Sequence, residues 1–73
     1  MSKKAVSDYE LLFRTVLSFG GEIKLVRNQK RFIVERVGLT GKYAAQFDYF
    51  EAPETAYNFY AEQVSFYPDF VVH

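Results

Sequence analysis

The stretch Glu22-Ile-Lys-Leu-Val-Arg-Asn-Gln-Lys-Arg-Phe-Ile-Val-Glu35 decides the fold, because apolar and polar residues alternate on both sides of Asn28-Gln29. Alternation with period two predicts strands, and a short polar pair between two such runs predicts a tight turn. A two-residue loop at Asn28-Gln29 places Leu25 opposite Phe32, and the next apolar residues, Ile23 and Val34, then also face each other. The stretch therefore predicts a β-hairpin with four apolar side chains on one face.

A third strand is predicted after a second turn signal, Gly38-Leu39-Thr40-Gly41. If Val37 faces Lys42 across this turn, Arg31 meets Asp48, and the two charges are opposite. The result is a three-stranded antiparallel meander. Its predicted buried face consists of Ile23, Leu25, Phe32, Val34, Ala45 and Phe47. The opposite face mixes charged and apolar residues, which suits solvent or a modest contact surface.

The segment before the hairpin predicts a helix from about Asp8 to about Phe19. Ser7 followed by Glu10 matches a capping box, and Gly20-Gly21 matches a helix end. The apolar residues between these signals recur at helical spacing. They are Tyr9, Leu12, Phe13, Val16 and Leu17.

A second helix is predicted to begin at Pro53, with Glu54 in its first turn, and to stop before Pro68, near Ser65 or Phe66. The tail Asp69–His73 is apolar and prone to β-structure, and it suits an edge strand, a cover for the core or a docking segment. The predicted fold class is α+β, in the order α-β-β-β-α, with both helices on one sheet face. Residues 1–73 are expected to form one domain whose first six residues are flexible.

This order of elements is similar to that of double-stranded RNA-binding domains. That family holds phosphate with a lysine-rich start to its second helix. This chain has Glu51-Ala52-Pro53-Glu54 at the corresponding place, and these carboxylates would repel phosphate. The resemblance is therefore one of topology, and we do not infer membership of the family.

The composition excludes several classes of chemistry. The chain has no cysteine, so it can form no disulfide, thiolate zinc site or cysteine nucleophile. No apolar run approaches the roughly 20 residues of a membrane span, and no secretory signal is evident, so we expect a cytoplasmic location.

The remaining catalytic and ligand-binding options are also weak. His73 is the one base suited to neutral pH. The carboxylates Asp48, Glu51 and Glu54 suggest structural roles more than a cation site, and no glycine pattern cradles phosphate. We accordingly expect no enzymatic activity, catalytic residue, cofactor, metal or small-molecule substrate.

The charge is divided along the chain. Nine basic and four acidic residues precede position 43, a net +5, whereas the remainder carries five acidic residues and none that are basic, a net −5. Such complementary halves suit neutralisation within one chain or self-association between chains.

Aromatic residues are concentrated in the acidic half. Fourteen of the 73 residues are Phe or Tyr, and ten of these lie from Tyr43 onward. A domain of this length buries only about 60 per cent of its surface, so some rings are expected at the surface, where Tyr and Phe favour protein contacts. The predicted protein-interaction residues are Tyr57, Tyr60, Phe66, Tyr67 and Phe70, with Glu54, Glu62 and Asp69 as a rim. The size suits an adaptor or inhibitor of the kind that phages and mobile elements encode.

An alternative function is nucleic-acid binding by the hairpin. Its candidate contacts are Lys24, Arg27, Lys30 and Arg31. Clustered cations of this kind neutralise phosphates. The predicted exposed sheet face, however, carries Val26 and Ile33 where binders of single strands place stacking aromatic rings.

Overall fold

A computed structural model describes residues 9–39 and 45–72 and shows a small α+β fold. Four antiparallel strands form an open sheet in the order β1-β2-β3-β4, and one helix packs on it. The strands are β1 (Tyr9–Val16), β2 (Glu22–Asn28), β3 (Arg31–Val37) and β4 (Ala45–Phe50). Helix α1 (Pro53–Ser65) and a 3-10 turn at Pro68–Phe70 complete the described chain. The topological resemblance to double-stranded RNA-binding domains does not hold, because the first described element is a strand where that order has a helix.

The helix predicted from Asp8 to Phe19 is wrong, because this segment contains strand β1. A bulge explains why the helical spacing was misleading. Leu11 pairs with Val26 and Phe13 pairs with Leu25, so the extra residue Leu12 shifts the alternation of the strand. Pairing with β1 also satisfies the backbone groups on the outer side of β2, which a helix there would leave without partners.

The glycines after β1 form a hairpin turn and not the predicted helix end. The Gly20 amide donates to the Leu17 carbonyl at 2.9 Å, and the Leu17 amide donates to the Gly21 carbonyl at 2.9 Å. Gly20 has φ of 101°, a conformation that side chains disfavour. A glycine with positive φ serves a helix end and a three-residue hairpin loop equally well, so the glycine signal alone could not separate the two.

The central hairpin is confirmed, but its register differs from the prediction by two residues. Leu25 faces Val34, and Asn28 pairs with Arg31 across a loop of Gln29 and Lys30. Gln29 has φ of 61° in this loop. A shift of two residues preserves the faces of both strands, so the predicted apolar face of the hairpin is retained.

The face of β4 that points toward the helix is the one that the sequence predicted to point away from it. Val37 pairs with Ala45, a register three residues beyond the predicted one, so Ala45 and Phe47 lie on the side away from α1. The predicted pair of Arg31 and Asp48 is also wrong. Asp48 instead faces the helix and accepts a hydrogen bond from Arg36 Nη2 at 2.7 Å.

A polar cluster holds β4 against the helix. Arg36 Nη1 donates to Gln63 Oε1 at 3.0 Å, and the Arg36 guanidinium lies 5.3 Å from the centre of the Phe59 ring. The planar guanidinium therefore bridges Asp48, Gln63 and Phe59, and this favours the register that brings Asp48 to the helix side.

The core lies between the sheet and α1, whose bounds confirm the prediction from Pro53 to Ser65. The core residues are Leu17, Ile23, Leu25, Val34, Ala56 and Tyr60. Phe32 and Val71 are half-buried against them. The tail adds an antiparallel bridge between Val71 and Leu17, so it both covers the core and pairs with the end of β1. The predictions for residues 1–6, Lys42 and His73 fall outside the described residues.

Candidate functional site

An apolar groove of about 350 Å³ opens between β1 and the first turns of α1. Helix α1 packs on β2, β3 and β4, and this placement leaves the β1 side of the sheet less covered. The residues that line the groove are Leu12, Phe13, Leu25, Phe32, Pro53, Glu54, Tyr57 and Asn58. Glu54 and Asn58 are the polar members of this set. The groove can therefore take an apolar side chain and present a carboxylate beside it.

Two exposed rings that contact each other line this groove. The centres of the Phe13 and Tyr57 rings lie 5.2 Å apart, and each side chain is 46 % exposed. Beneath them Tyr60 is 7 % exposed, and its ring lies 5.8 Å from that of Phe13. The Tyr60 hydroxyl and Thr15 Oγ1 are 2.5 Å apart, which ties the helix to β1. Tyr60 thus belongs to the core and supports the groove from below, although the sequence predicted it at the surface.

A second aromatic cluster lies at the other end of α1. The Phe19 ring lies 5.9 Å from that of Tyr67 and 5.4 Å from that of Phe70. Phe66 is 62 % exposed beside this cluster. Phe66, the residue directly after the helix, lies nine positions beyond Tyr57, which corresponds to a rise of roughly 13 Å.

The predicted interaction residues consequently divide between two places. Tyr57 and Glu54 lie at the groove. Phe66, Tyr67, Phe70 and Asp69 lie at or beyond the end of α1, and Glu62 is exposed on the last turns of the helix.

The sheet face away from α1 is also aromatic. Tyr9, Leu11, Phe47 and Tyr49 are each 48 to 59 % exposed on this face, and Val26 and Ile33 are buried among its side chains. The sequence prediction missed this surface because it placed Phe47 on the buried face and Tyr9 in a helix. The spacing of Phe47 and Tyr49 indicates that both rings share one face of β4. Which face of the sheet that is depends on the register of β4.

A polar pair crosses this open face. The Tyr9 hydroxyl donates to Glu35 Oε2 at 2.6 Å, and Lys24 Nζ lies 3.5 Å from Glu35 Oε1. The hydrogen bond to Glu35, followed by burial and by the negative charge of Glu35, raises the pKa of Tyr9 to about 12. The protonated hydroxyl therefore links β1 to β3 across β2.

A polar cleft of about 450 Å³ lies at the β2–β3 turn. Its lining residues are Asn28, Gln29, Lys30, Arg31, Ile33 and Tyr49. The four predicted nucleic-acid contacts differ in their surroundings, since Lys24 pairs with Glu35 and Arg27 pairs with Glu10. Lys30 and Arg31 are the two cations within residues 9–39 and 45–72 that form no ion pair there.

The carboxylates weighed as a cation site do not cluster. Asp48 binds Arg36, and Glu51 and Glu54 are exposed. In the described ranges, no three residues of the metal-ligating types His, Cys, Asp and Glu lie close enough to hold one ion. No helix in the same ranges is long and apolar enough to cross a membrane.

Comparison with known proteins adds no relative. No protein-family model, no curated protein and no solved structure matches this chain. Functional inference therefore depends on the groove, the open sheet face and the cleft.

The Tyr9–Glu35 hydrogen bond predicts a pH dependence of stability. Because the folded pKa lies above the ordinary value of about 10, the fold favours the protonated hydroxyl. Its contribution is fully present below about pH 10 and is lost as the pH rises to about 12. Urea unfolding across this pH range should show a loss of stability that Tyr9→Phe reduces. An equal loss in both proteins would contradict the assignment.

Proposed function

We propose that this chain is a non-enzymatic protein-binding module, of the adaptor or inhibitor type, which takes an apolar side chain of its partner into the groove between β1 and α1. One observation carries the proposal. The rings of Phe13 and Tyr57 are about half exposed, yet both rest on the buried ring of Tyr60. Rings that are held in place before binding lose little conformational entropy on binding, and anchors of this kind contribute most of the affinity in protein interfaces.

The polar rim of the groove supports a preference for a basic flank on the partner. Glu54 lies at the groove in the first turn of α1, and the chain from position 43 onward has a net charge of −5. Complementary charge increases the association rate and selects among partners more than it increases affinity. The preferred partner segment therefore combines one large apolar side chain with a nearby lysine or arginine.

The residues at the other end of α1 receive a different assignment. Tyr67 and Phe70 contact Phe19, and the Phe70 carbonyl accepts a hydrogen bond from the Ser18 amide at 2.8 Å. These contacts hold the tail on the sheet. Phe66 is the most exposed of the described rings at this end, at 62 %, and provides a matched control for the groove.

The first prediction for this function concerns Tyr57→Ser, which removes one of the two exposed rings that line the groove. We expect binding to a captured partner protein to weaken at least about tenfold, because a buried aromatic anchor contributes more than about 1.4 kcal/mol. The partner is recovered from nuclease-treated lysate, and its affinity is measured by calorimetry with the purified proteins.

The control is Phe66→Ser, which removes an equally large exposed ring from the other end of α1. This variant should retain the affinity of the unmodified protein, and circular dichroism should show both variants folded. Loss of binding in Phe66→Ser with retention in Tyr57→Ser would place the site at the other end of α1 and contradict the proposal.

A second candidate function, binding of single-stranded nucleic acid, is favoured by the cleft at the β2–β3 turn. Lys30 and Arg31 retain uncompensated charge among the described residues, and Tyr49, beside them, is 59 % exposed. The structure thus provides the exposed ring that the sequence analysis did not find on this face. An exposed ring flanked by cations is the arrangement that binds a base and its phosphate.

This candidate predicts strong salt dependence. Affinity for a single-stranded oligonucleotide should fall steeply between about 50 and 200 mM salt. The double variant Lys30→Gln with Arg31→Gln should lower the slope of log K against log salt by roughly 0.7 per lost phosphate contact. The control of equal net charge, Lys24→Gln with Arg27→Gln, should change the slope less, because carboxylates already neutralise those cations. Equal effects of the two double variants would exclude the cleft.

A further inference from the structure

Strand β1 is an outermost strand of the sheet. Apart from the bulge at Leu12 and the charged residues Glu10 and Arg14, it has few of the features that protect such edges. It pairs with β2 on one side, and no described strand pairs with its other side before Val16. It is 8 residues long, contains no proline and carries Leu11, Leu12 and Phe13 in succession. Each of these three side chains is at least 36 % exposed. A long apolar edge offers unpaired backbone groups to any extended segment that reaches it.

The chain already adds a segment of its own to this edge. At the end of β1, Val71 forms an antiparallel bridge with Leu17. The Val72 amide donates to the Val16 carbonyl at 2.9 Å, and the Ser18 amide donates to the Phe70 carbonyl at 2.8 Å. The edge therefore has the geometry and the accessibility to accept an antiparallel strand.

The same hydrogen bonds show which backbone groups of β1 face outward. The Val16 carbonyl points away from β2, toward the tail. Backbone groups alternate sides along a strand, so the amide and carbonyl of Arg14 also point outward, and those of Thr15 point toward β2. Arg14 thus provides the next outward pair of hydrogen-bonding groups beyond the segment that the tail covers.

We propose that the partner binds as an extended peptide strand, antiparallel to β1, that continues the line of the tail along Arg14, Phe13 and Leu11. This inference rests on the proposed protein-binding function and names its mode. Main-chain hydrogen bonds supply affinity in such β-augmentation, and alternate side chains supply specificity. One set of side chains lies beside Phe13 at the rim of the groove, and the other lies beside Leu11 on the open sheet face.

The dimensions of the groove favour a strand over a helix. The helical residues that line it run from Pro53 to Asn58, which is less than two turns of α1. A helix bound in a groove needs apolar anchors at i, i+3 or i+4, and i+7, spread over about two turns of its own. A short groove beside an open strand edge instead fits one large side chain of a strand that lies along the edge.

The test uses phage-displayed random peptides of about ten residues, the upper length of a typical strand, selected on the full-length protein. Selected peptides should alternate apolar and polar residues. One of these peptides is then synthesised in two versions, each with N-methyl groups on the backbone nitrogens of alternate residues. The version methylated on the amides that face β1 should bind at least about tenfold more weakly, because it loses hydrogen bonds to β1. The version methylated in the other phase, on the amides that face away from β1, should keep its affinity.

The matched protein variants are Arg14→Pro and Arg14→Ala. Both remove the ion pair of Arg14 with Glu22, but only proline also removes the outward amide. Arg14→Pro should lose peptide binding and Arg14→Ala should keep it, with the fold of each checked by circular dichroism. If Arg14→Pro does not fold, the comparison of the two methylation phases decides the question alone.

The possible results separate the binding mode from the proposed function. Binding that requires Tyr57 but is insensitive to methylation phase and to Arg14→Pro would overturn the strand mode and leave the groove proposal standing. Binding that is insensitive to all of these changes would overturn both. Self-association of the purified chain that Arg14→Pro abolishes would identify a second copy as the occupant and overturn the peptide proposal.

Discussion

The structure depends on one constraint: within residues 9–39 and 45–72, one helix of 13 residues must cover a sheet of four strands. Helix α1 packs on β2, β3 and β4 and meets β1 mainly through rings, of which Tyr60 is the most buried. The opposite sheet face has no described covering element, so its side chains must shield one another. Val26 and Ile33 are buried among them, and Tyr9, Phe47 and Tyr49 remain half exposed. The groove, the open face and the β1 edge all follow from this shortage of covering elements.

Local patterns predicted the elements whose signals do not depend on distant partners. The alternation around Asn28-Gln29 predicted the hairpin, and Pro53 and Pro68 bounded α1. Strand β4 was predicted with the wrong face toward the helix because its register depends on Arg36, which binds Asp48 and Gln63. The residues next to Asp48 in the sequence do not indicate that Arg36 links Asp48 to Gln63 on the helix. The predicted register of β4 differs from the observed one by three residues. An odd shift moves every side chain of a strand to the other face, so Phe47 was predicted on the buried face in place of Asp48.

The candidate site was only partly predictable for the same reason. Tyr57 and Glu54 lie on a helix that the local pattern predicts, so the sequence could name them as candidate interaction residues before their neighbours were known. Phe13 and Leu12 were missed because a bulge at Leu12 made an apolar strand resemble a helical stripe. The burial of Tyr60 followed from a hydrogen bond to Thr15 on β1, a strand that the sequence did not predict. Errors in the placement of β1 and β4 therefore became errors about which rings are exposed.

We propose that β1 is an edge strand whose outward backbone groups at Arg14 are open to a partner. The most direct measurement is backbone amide hydrogen exchange of the isolated protein, followed by nuclear magnetic resonance. The account predicts slow exchange for the Thr15 amide, which faces β2, and fast exchange for the neighbouring Arg14 amide. Similar protection of both amides would contradict the account, because it would indicate a helix or an outer side of β1 that is already occupied.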